Sequence, residues 1–189
     1  MIADTVLLGL DMDGVIIDHT ESKIALAKDI GFDITAKETP SDILRKIIPE
    51  EFLSAFWDTL YNKDATALSA PLMLGIEDAL ENLDQRGVPY VLISRRKDPL
   101  IAERLLKARG LWPRFFSANN AFFVKEIEDK STMAQALGVT HYIDDEIKVL
   151  EALHDVKNRY LFDPHAIFPA STNYSKFSNW IEAVAHFSP

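Results

Sequence analysis

Short apolar runs that end in polar residues recur along the chain and alternate with longer segments of helical period. Val6–Leu10 is the first, running into a carboxylate cluster and Gly14, which predicts a buried strand with a polar turn at its carboxyl end. Val88–Ser94 (VPYVLIS), His141–Asp144 (HYID) and Arg159–Asp163 (RYLFD) repeat the pattern, and a further strand is expected within Phe115–Val124. Helical spacing runs through Ile76–Arg86, Pro99–Arg109, Lys130–Leu137 and Glu146–Val156. The first three close at Gly87, Gly110 and Gly138, as suits a helix C-terminus. A last helix is predicted over Ser175–His186, where Trp180 and Val184 repeat at i and i+4. Strands alternating with helices predict an α/β fold: a three-layer, Rossmann-like parallel sheet with helices on both faces, which binds ligands at the carboxyl ends of its strands.

The alternation breaks between about Asp18 and Leu74, where helix-like pieces (Glu21–Ile30, Pro40–Ile48, Pro49–Tyr61) follow one another without a strand. This predicts a core of residues 1–17 and 75–189 and a small helical cap, residues 18–74, inserted after the first strand. A cap in that place can close over a substrate and exclude water. Phe52, Phe56, Trp57 and Tyr61 lie in it at roughly helical spacing, which fits a buried stripe and also a platform for a nucleobase.

Composition narrows the function. A chain of 189 residues supports one full core, and 48% hydrophobic with 26% charged residues is ordinary for a globular protein. The net charge of -9 speaks against a nucleic-acid polymer as partner, while a small anionic ligand remains compatible with a local positive site. With no cysteine, disulfides, thiolate metal sites and cysteine nucleophiles are excluded. The opening MIADTVLLGLDMDG has no basic leader and no stretch approaches the length of a membrane span, so an unexported, cytoplasmic protein without a membrane partner is expected.

The chemistry concentrates in LLGLDMDGVIID, Leu7–Asp18. Asp11 and Asp13, two apart just past a buried strand, can face one pocket once the chain leaves regular extension, and Gly14 permits the tight turn. Paired acids there call for a cation, and Mg²⁺ suits one or two carboxylates combined with phosphate and water. Asp144 and Asp145 end another predicted strand and can complete the ligand set. Ser94 ends a third strand with a hydroxyl fit for a phosphate oxygen, and Arg95 and Arg96 follow it, in reach of a further anionic group. Lys130, in an Asp-Lys-Ser context that opens a predicted helix, can neutralise a phosphoryl group; Lys125 is the alternative.

Taken singly, each feature has an ordinary structural explanation: an acidic pair caps a helix, a serine closes a turn, a lysine stays solvated. Their joint occurrence, in order and at strand ends or helix starts, points to a site. Asp18 reads as a cap for the first inserted helix. His19, His141, His154, His165 and His186 show no metal-ligand spacing and read as surface or packing residues.

In these motifs the chain resembles the haloacid dehalogenase (HAD) superfamily. Asp11 and Asp13 match its DxD, Ser94 its second motif, Lys130 its lysine, and Asp144 with Asp145 its acidic pair, with the insertion at the place of that superfamily's first-type cap. The resemblance implies a phosphatase in which Asp11 attacks phosphorus to form an aspartyl-phosphate, and Asp13 protonates the leaving oxygen and then activates water. It further implies Mg²⁺ held by the Asp11 side chain, the Asp13 carbonyl, Asp144 and Asp145, with Ser94 and Lys130 on the phosphate of a small metabolite; Arg95 is expected to join them from its position next to Ser94. DMDGVIID, the DKS lysine, IDDE and the late SNWIEAV look like the 5'(3')-deoxyribonucleotidase branch. Sugar phosphates are the alternative substrates, and a non-catalytic module that binds a phosphorylated ligand or a protein is the alternative from another class.

Overall fold

In the computed structural model, which describes residues 6–187, three apolar clusters organise the chain. Residues 1–5, on which the expectation of no leader partly rests, lie outside the described residues. Five strands fall where alternation places them: β1 Leu8–Leu10, β2 Tyr90–Arg95, β3 Ala121–Val124, β4 His141–Asp144 and β5 Asn158–Phe162. A sixth, β6 Ser175–Phe177, occupies the start of the segment expected to be helical. The strands form one parallel sheet in the order β3-β2-β1-β4-β5-β6.

Successive strand side chains point to opposite faces, and the packing follows that period of two. Leu8 and Leu10, Tyr90 and Leu92, Ile143, Tyr160 and Phe162 join one cluster. Val91 and Ile93, Tyr142 and Leu161 join the other. Against the first face lie α5 (Ile76–Gln85), α6 (Pro99–Ala108) and α9 (Trp180–His186), through Leu80, Leu105 and Trp180 among others. Against the second lie α7 (Ile127–Leu137) and α8 (Ile147–Ala152), through Ala134, Val149 and Leu150. This is the three-layer, Rossmann-like arrangement expected.

Between β1 and α5 the chain forms α1 (Thr20–Asp29), a 3-10 turn at Ala36–Glu38, α2 (Ser41–Ile47), α3 (Glu50–Asn62) and α4 (Asp64–Ala67). These helices bury a third cluster of their own around Leu44, Ile48, Leu53, Phe56 and Leu60. The chain leaves the sheet and returns at one neck, where Asp18 N–H donates to the Pro71 carbonyl (2.9 Å) and Met73 N–H to that of Ile16 (2.8 Å). Arg109 of the core fastens the return through the carbonyls of Leu68, Ser69 and Ala70. Asp18 turns its carboxylate to the Thr20 N–H at the start of α1 (2.8 Å), the capping role expected of it.

Three helix boundaries differ from expectation. α7 begins three residues early, at Ile127, because Glu126 and Asp129 form a reciprocal capping box, so Lys130 lies inside the helix rather than opening it. α8 stops at Ala152, and Leu153–Val156 turn back toward β5. The final helix starts at Trp180, with the Asn179 side chain accepting the Glu182 N–H. Among the described residues no helix is long and apolar enough to cross a membrane.

β1 and β4 approach each other closely at one point. Gly9, in the middle of β1, lies against the Tyr142 ring, and a Cβ there would clash with two ring carbons. Gly9→Ala is therefore expected to destabilise the protein by roughly 1–3 kcal/mol through overpacking. Urea unfolding of the variant against the parent measures it.

Candidate active site

The strand order sets β1 between β2 and β4, so whatever follows their carboxyl ends shares one location. Asp11 follows β1 directly, its N–H donating to the Ile143 carbonyl (3.0 Å), while Asp144 closes β4. Lys130 reaches these ends from α7, with Nζ 2.9 Å from Asp11 Oδ1 and 2.7 Å from Asp144 Oδ2. It passes over the Tyr142 ring, 5.5 Å from the centroid, and the Tyr142 hydroxyl donates to the Ile93 carbonyl. Gly14, at φ +80°, turns the chain after Asp13, and its missing Cβ leaves room for the Asp145 carboxylate.

One ligand oxygen each from Asp11, Asp144 and Asp145 lies within 4.8 Å of the others. Burial pushes the carboxyls of all three above the usual range, with Asp144 at about 7, in spite of the attraction of Lys130 for Asp11 and Asp144 and of Lys23 for Asp145. Lys130 itself stays charged: burial opposes the ammonium, and the charges of Asp11 and Asp144 outweigh burial. Three clustered carboxylates against the two ammoniums of Lys130 and Lys23 leave negative charge uncompensated, which a hard cation would offset. Oxygen-only donors at this spacing fit Mg²⁺.

Asp13 sits in the opposite regime. Arg96 Nη2 (2.5 Å) and His19 Nε2 (2.7 Å) both meet its Oδ1. Burial alone would raise the Asp13 carboxyl, but Arg96 and His19 hold it far below the usual range. Burial keeps His19 neutral, with the Arg96 and Lys23 charges acting in the same direction, so its Nε2–H donates to Asp13. His19 is therefore more than a surface or packing residue.

The expected residues fall into place unevenly. Asp11, Asp13, Lys130, Asp145 and Arg95 line one small cavity, together with Ser41, Tyr61, Glu146 and Val149. Ser94 is fully buried at the end of β2 with its Oγ unpartnered, beside that cavity but not on its wall. Lys125 lines a larger neighbouring cavity and leaves the acids to Lys130. Arg95 pairs with Glu146 (3.4 Å), whereas Arg96 turns inward to Asp13 and to the Tyr61 carbonyl (3.1 Å). Of the inserted aromatics Phe56 is buried in the stripe, and Trp57 and Tyr61 line the larger cavity.

His19 and Arg96 are the residues that sequence reasoning undervalued. For Arg96 a signal existed: it stands two after Ser94, and the period of a strand sends i and i+2 to the same face. For His19 none did, since its partner is fixed by the fold.

The raised Asp144 carboxyl gives a signed pH dependence. A group whose folded value exceeds its usual 3.8 stabilises fully below that value, and the contribution is lost as pH rises through about 7. Chelator-treated protein is expected to be less stable to urea at pH 8 than at pH 5, and Asp144→Asn should flatten that difference.

No protein-family model matches the sequence, and no curated protein does. Solved structures do match across nearly the whole chain. A HAD family hydrolase from Deinococcus radiodurans R1, with bound phosphate and sodium, aligns at TM-score 0.61 and 16% identity over 95% of this chain and 93% of its own. An assigned phosphoglycolate phosphatase from Haemophilus somnus 129PT aligns at 0.62 and 14% over 100% of both chains. A Thermotoga maritima protein assigned as a beta-phosphoglucomutase aligns at 0.60 and 17% over 97% of this chain and 100% of its own. The chain thus has the fold of the HAD hydrolases.

Proposed function

We propose that the protein is a Mg²⁺-dependent phosphomonoester hydrolase in which Asp11 is the nucleophile. The observation that carries this reading is the bridge made by Lys130 between Asp11 and Asp144, with Asp145 completing an oxygen cluster beside a cavity. The shared fold supports it, as does the phosphate bound in the Deinococcus neighbour. The neighbours assigned as phosphoglycolate phosphatase and beta-phosphoglucomutase favour small phosphorylated metabolites as substrates.

An Asp11 carboxylate oxygen attacks phosphorus, and the bond from phosphorus to the ester oxygen breaks. Asp13 gives a proton to that departing oxygen, then takes one from the water that splits the aspartyl-phosphate and restores Asp11. Lys130 opposes the burial that raises Asp11 and so favours its ionised form, and it places an ammonium where the transferred group's charge accumulates. The Ser94 hydroxyl, buried and unpartnered, is a donor free for a phosphate oxygen. Mg²⁺ would be held by Asp11, Asp144, Asp145 and the Asp13 carbonyl, and would supply charge that lets a carboxylate approach a phosphate.

Asp13 as it stands, ionised against Arg96 and His19, is ready for the second step as a base. Acting as acid in the first step requires Arg96 to swing away. The insertion roofs the site as a cap: its Tyr61 carbonyl holds Arg96, and its Asp42 accepts the Ile147 N–H of the core (3.2 Å).

Nucleoside monophosphates, expected from the motif resemblance, need an open aromatic face for the base. Trp57 has Arg45 over its ring at 5.0 Å, Lys23 at 5.9 Å and Tyr61 parallel to it at 5.8 Å. That occupancy favours the other class, sugar phosphates and similar small esters.

Purified protein should release phosphate from p-nitrophenyl phosphate with Mg²⁺ and stop when EDTA is added. Asp11→Asn should abolish turnover, and Asp13→Asn should lower kcat by about 10²- to 10⁴-fold. Release by the wild type no greater than by Asp11→Asn, across aryl, sugar and nucleoside monophosphates, would replace this reading with a non-catalytic binding module.

A further inference from the structure

The larger cavity has no role in the chemistry just described. It has a volume of about 480 Å³, within the usual range for small-molecule sites, and adjoins the small catalytic cavity, sharing Ser41, Tyr61, Arg95 and Glu146 with it. A substrate whose phosphoryl group meets Asp11 therefore has room to extend into it.

Its walls are cationic. Arg45 from α2, Arg95, Arg96 and Lys97 from the end of β2, and Lys125 just after β3 face three acids, Asp58, Glu126 and Glu146. Five positive and three negative side chains leave a surplus of two, in a chain whose net charge is -9. Arg95 is engaged by Glu146 and Arg96 by Asp13. Among the described residues Arg45, Lys97 and Lys125 form no ion pair with a carboxylate within 4.0 Å, and the Arg45 guanidinium lies over the Trp57 ring. Arg96 belongs to the wall of this cavity while its guanidinium grips the acid of the other.

We propose that the larger cavity is a second anion site: the substrate is a phosphomonoester that carries a further anionic group, bound by Arg45, Lys97 and Lys125. The group is a carboxylate or a second phosphate, for both of which guanidinium and ammonium donors are suited. This deepens the phosphatase reading and rests on it for turnover, while the anion site itself can be tested by binding alone.

The test pairs substrates that differ only in the second charge. Glycerol 3-phosphate is compared with 3-phosphoglycerate, which replaces an alcohol by a carboxylate, and glucose 6-phosphate with glucose 1,6-bisphosphate, which adds a phosphate. The doubly anionic member of at least one pair should show kcat/KM about tenfold or more above its partner at low salt, and the pair that does identifies the second group. In Arg45→Gln and Lys125→Gln that ratio should fall about tenfold, through KM. Calorimetric titration of the same four compounds into Asp11→Asn protein gives a readout that needs no turnover. It should show the same preference, and the loss of that preference when Arg45→Gln or Lys125→Gln is added to Asp11→Asn.

Equal kcat/KM and equal affinity within both pairs would overturn the anion site even if p-nitrophenyl phosphate is hydrolysed. A preference in binding with no turnover of any ester would retain the anion site and remove the phosphatase reading. An equal effect of Arg45→Gln and Lys125→Gln on both members of a pair would also overturn it, since that reports damage to the fold rather than a lost charge contact.

Discussion

One buried ammonium holds the centre of this structure together. Lys130 is 2% exposed and sits between Asp11 and Asp144, whose carboxylates would otherwise face each other across adjacent strand ends with no compensating charge. An uncompensated buried charge costs several kcal/mol, so the strand ends can carry these acids only because α7 delivers the ammonium. That delivery depends on details far from the acids. The Tyr142 ring supports the lysine, its hydroxyl is fixed on the Ile93 carbonyl, and the ring has room because Gly9 has no side chain. A position in the middle of β1 thereby bears on the geometry at its end.

Asp11 and Asp13 show how neighbouring acids acquire opposite characters. Asp11 is buried and Asp13 partly so, yet Asp11 answers to a lysine it shares with Asp144, while Asp13 receives an arginine and a histidine on a single oxygen. Pairs of titratable groups pushed apart in this way are what acid-base division of labour requires. The groups that act on Asp13 are also tied to the insertion. His19 immediately precedes α1 and meets the Tyr61 ring edge-on at 5.4 Å, and Arg96 lies over that ring at 4.6 Å while bonding the Tyr61 carbonyl. Any displacement of α3 relative to the sheet would be felt first at Asp13.

The parts legible in the sequence are those governed by local period. Five strands could be read because alternate residues enter opposite apolar clusters, and the helices behind them because their stripes end at glycines. β6 was not legible: it is three residues long, and Phe177 alone of them is buried, so Ser175–Phe177 carries no pattern that distinguishes it from the start of α9. The early start of α7 was hidden for a related reason, since glutamate is an unusual capping residue and Glu126 works only as a partner of Asp129. In the site, the strand-end acids were visible as a motif, whereas the Arg96 contact joins positions 83 residues apart and the His19 contact needs the turn at Gly14. Such contacts are products of topology, and only the place of Arg96 two residues after Ser94 left a local trace.

The two cavities are built from parts of different rigidity. The acids and the lysine of the smaller one come from the ends of β1 and β4 and from one helix packed on the sheet, where hydrogen-bonded neighbours on both sides fix each backbone. The larger cavity takes its walls from α2 and α3 of the insertion and from the segments just beyond β2 and β3. The inserted helices have their own apolar cluster, so residues such as Arg45 or Trp57 can change without disturbing the sheet. A chain that is negative overall also needs a local positive field to draw in an anion, and a cavity with low-dielectric walls concentrates that field. Charge for capture is therefore placed on the insertion and the strand-end segments, and charge for chemistry on the sheet, with Arg96 touching both.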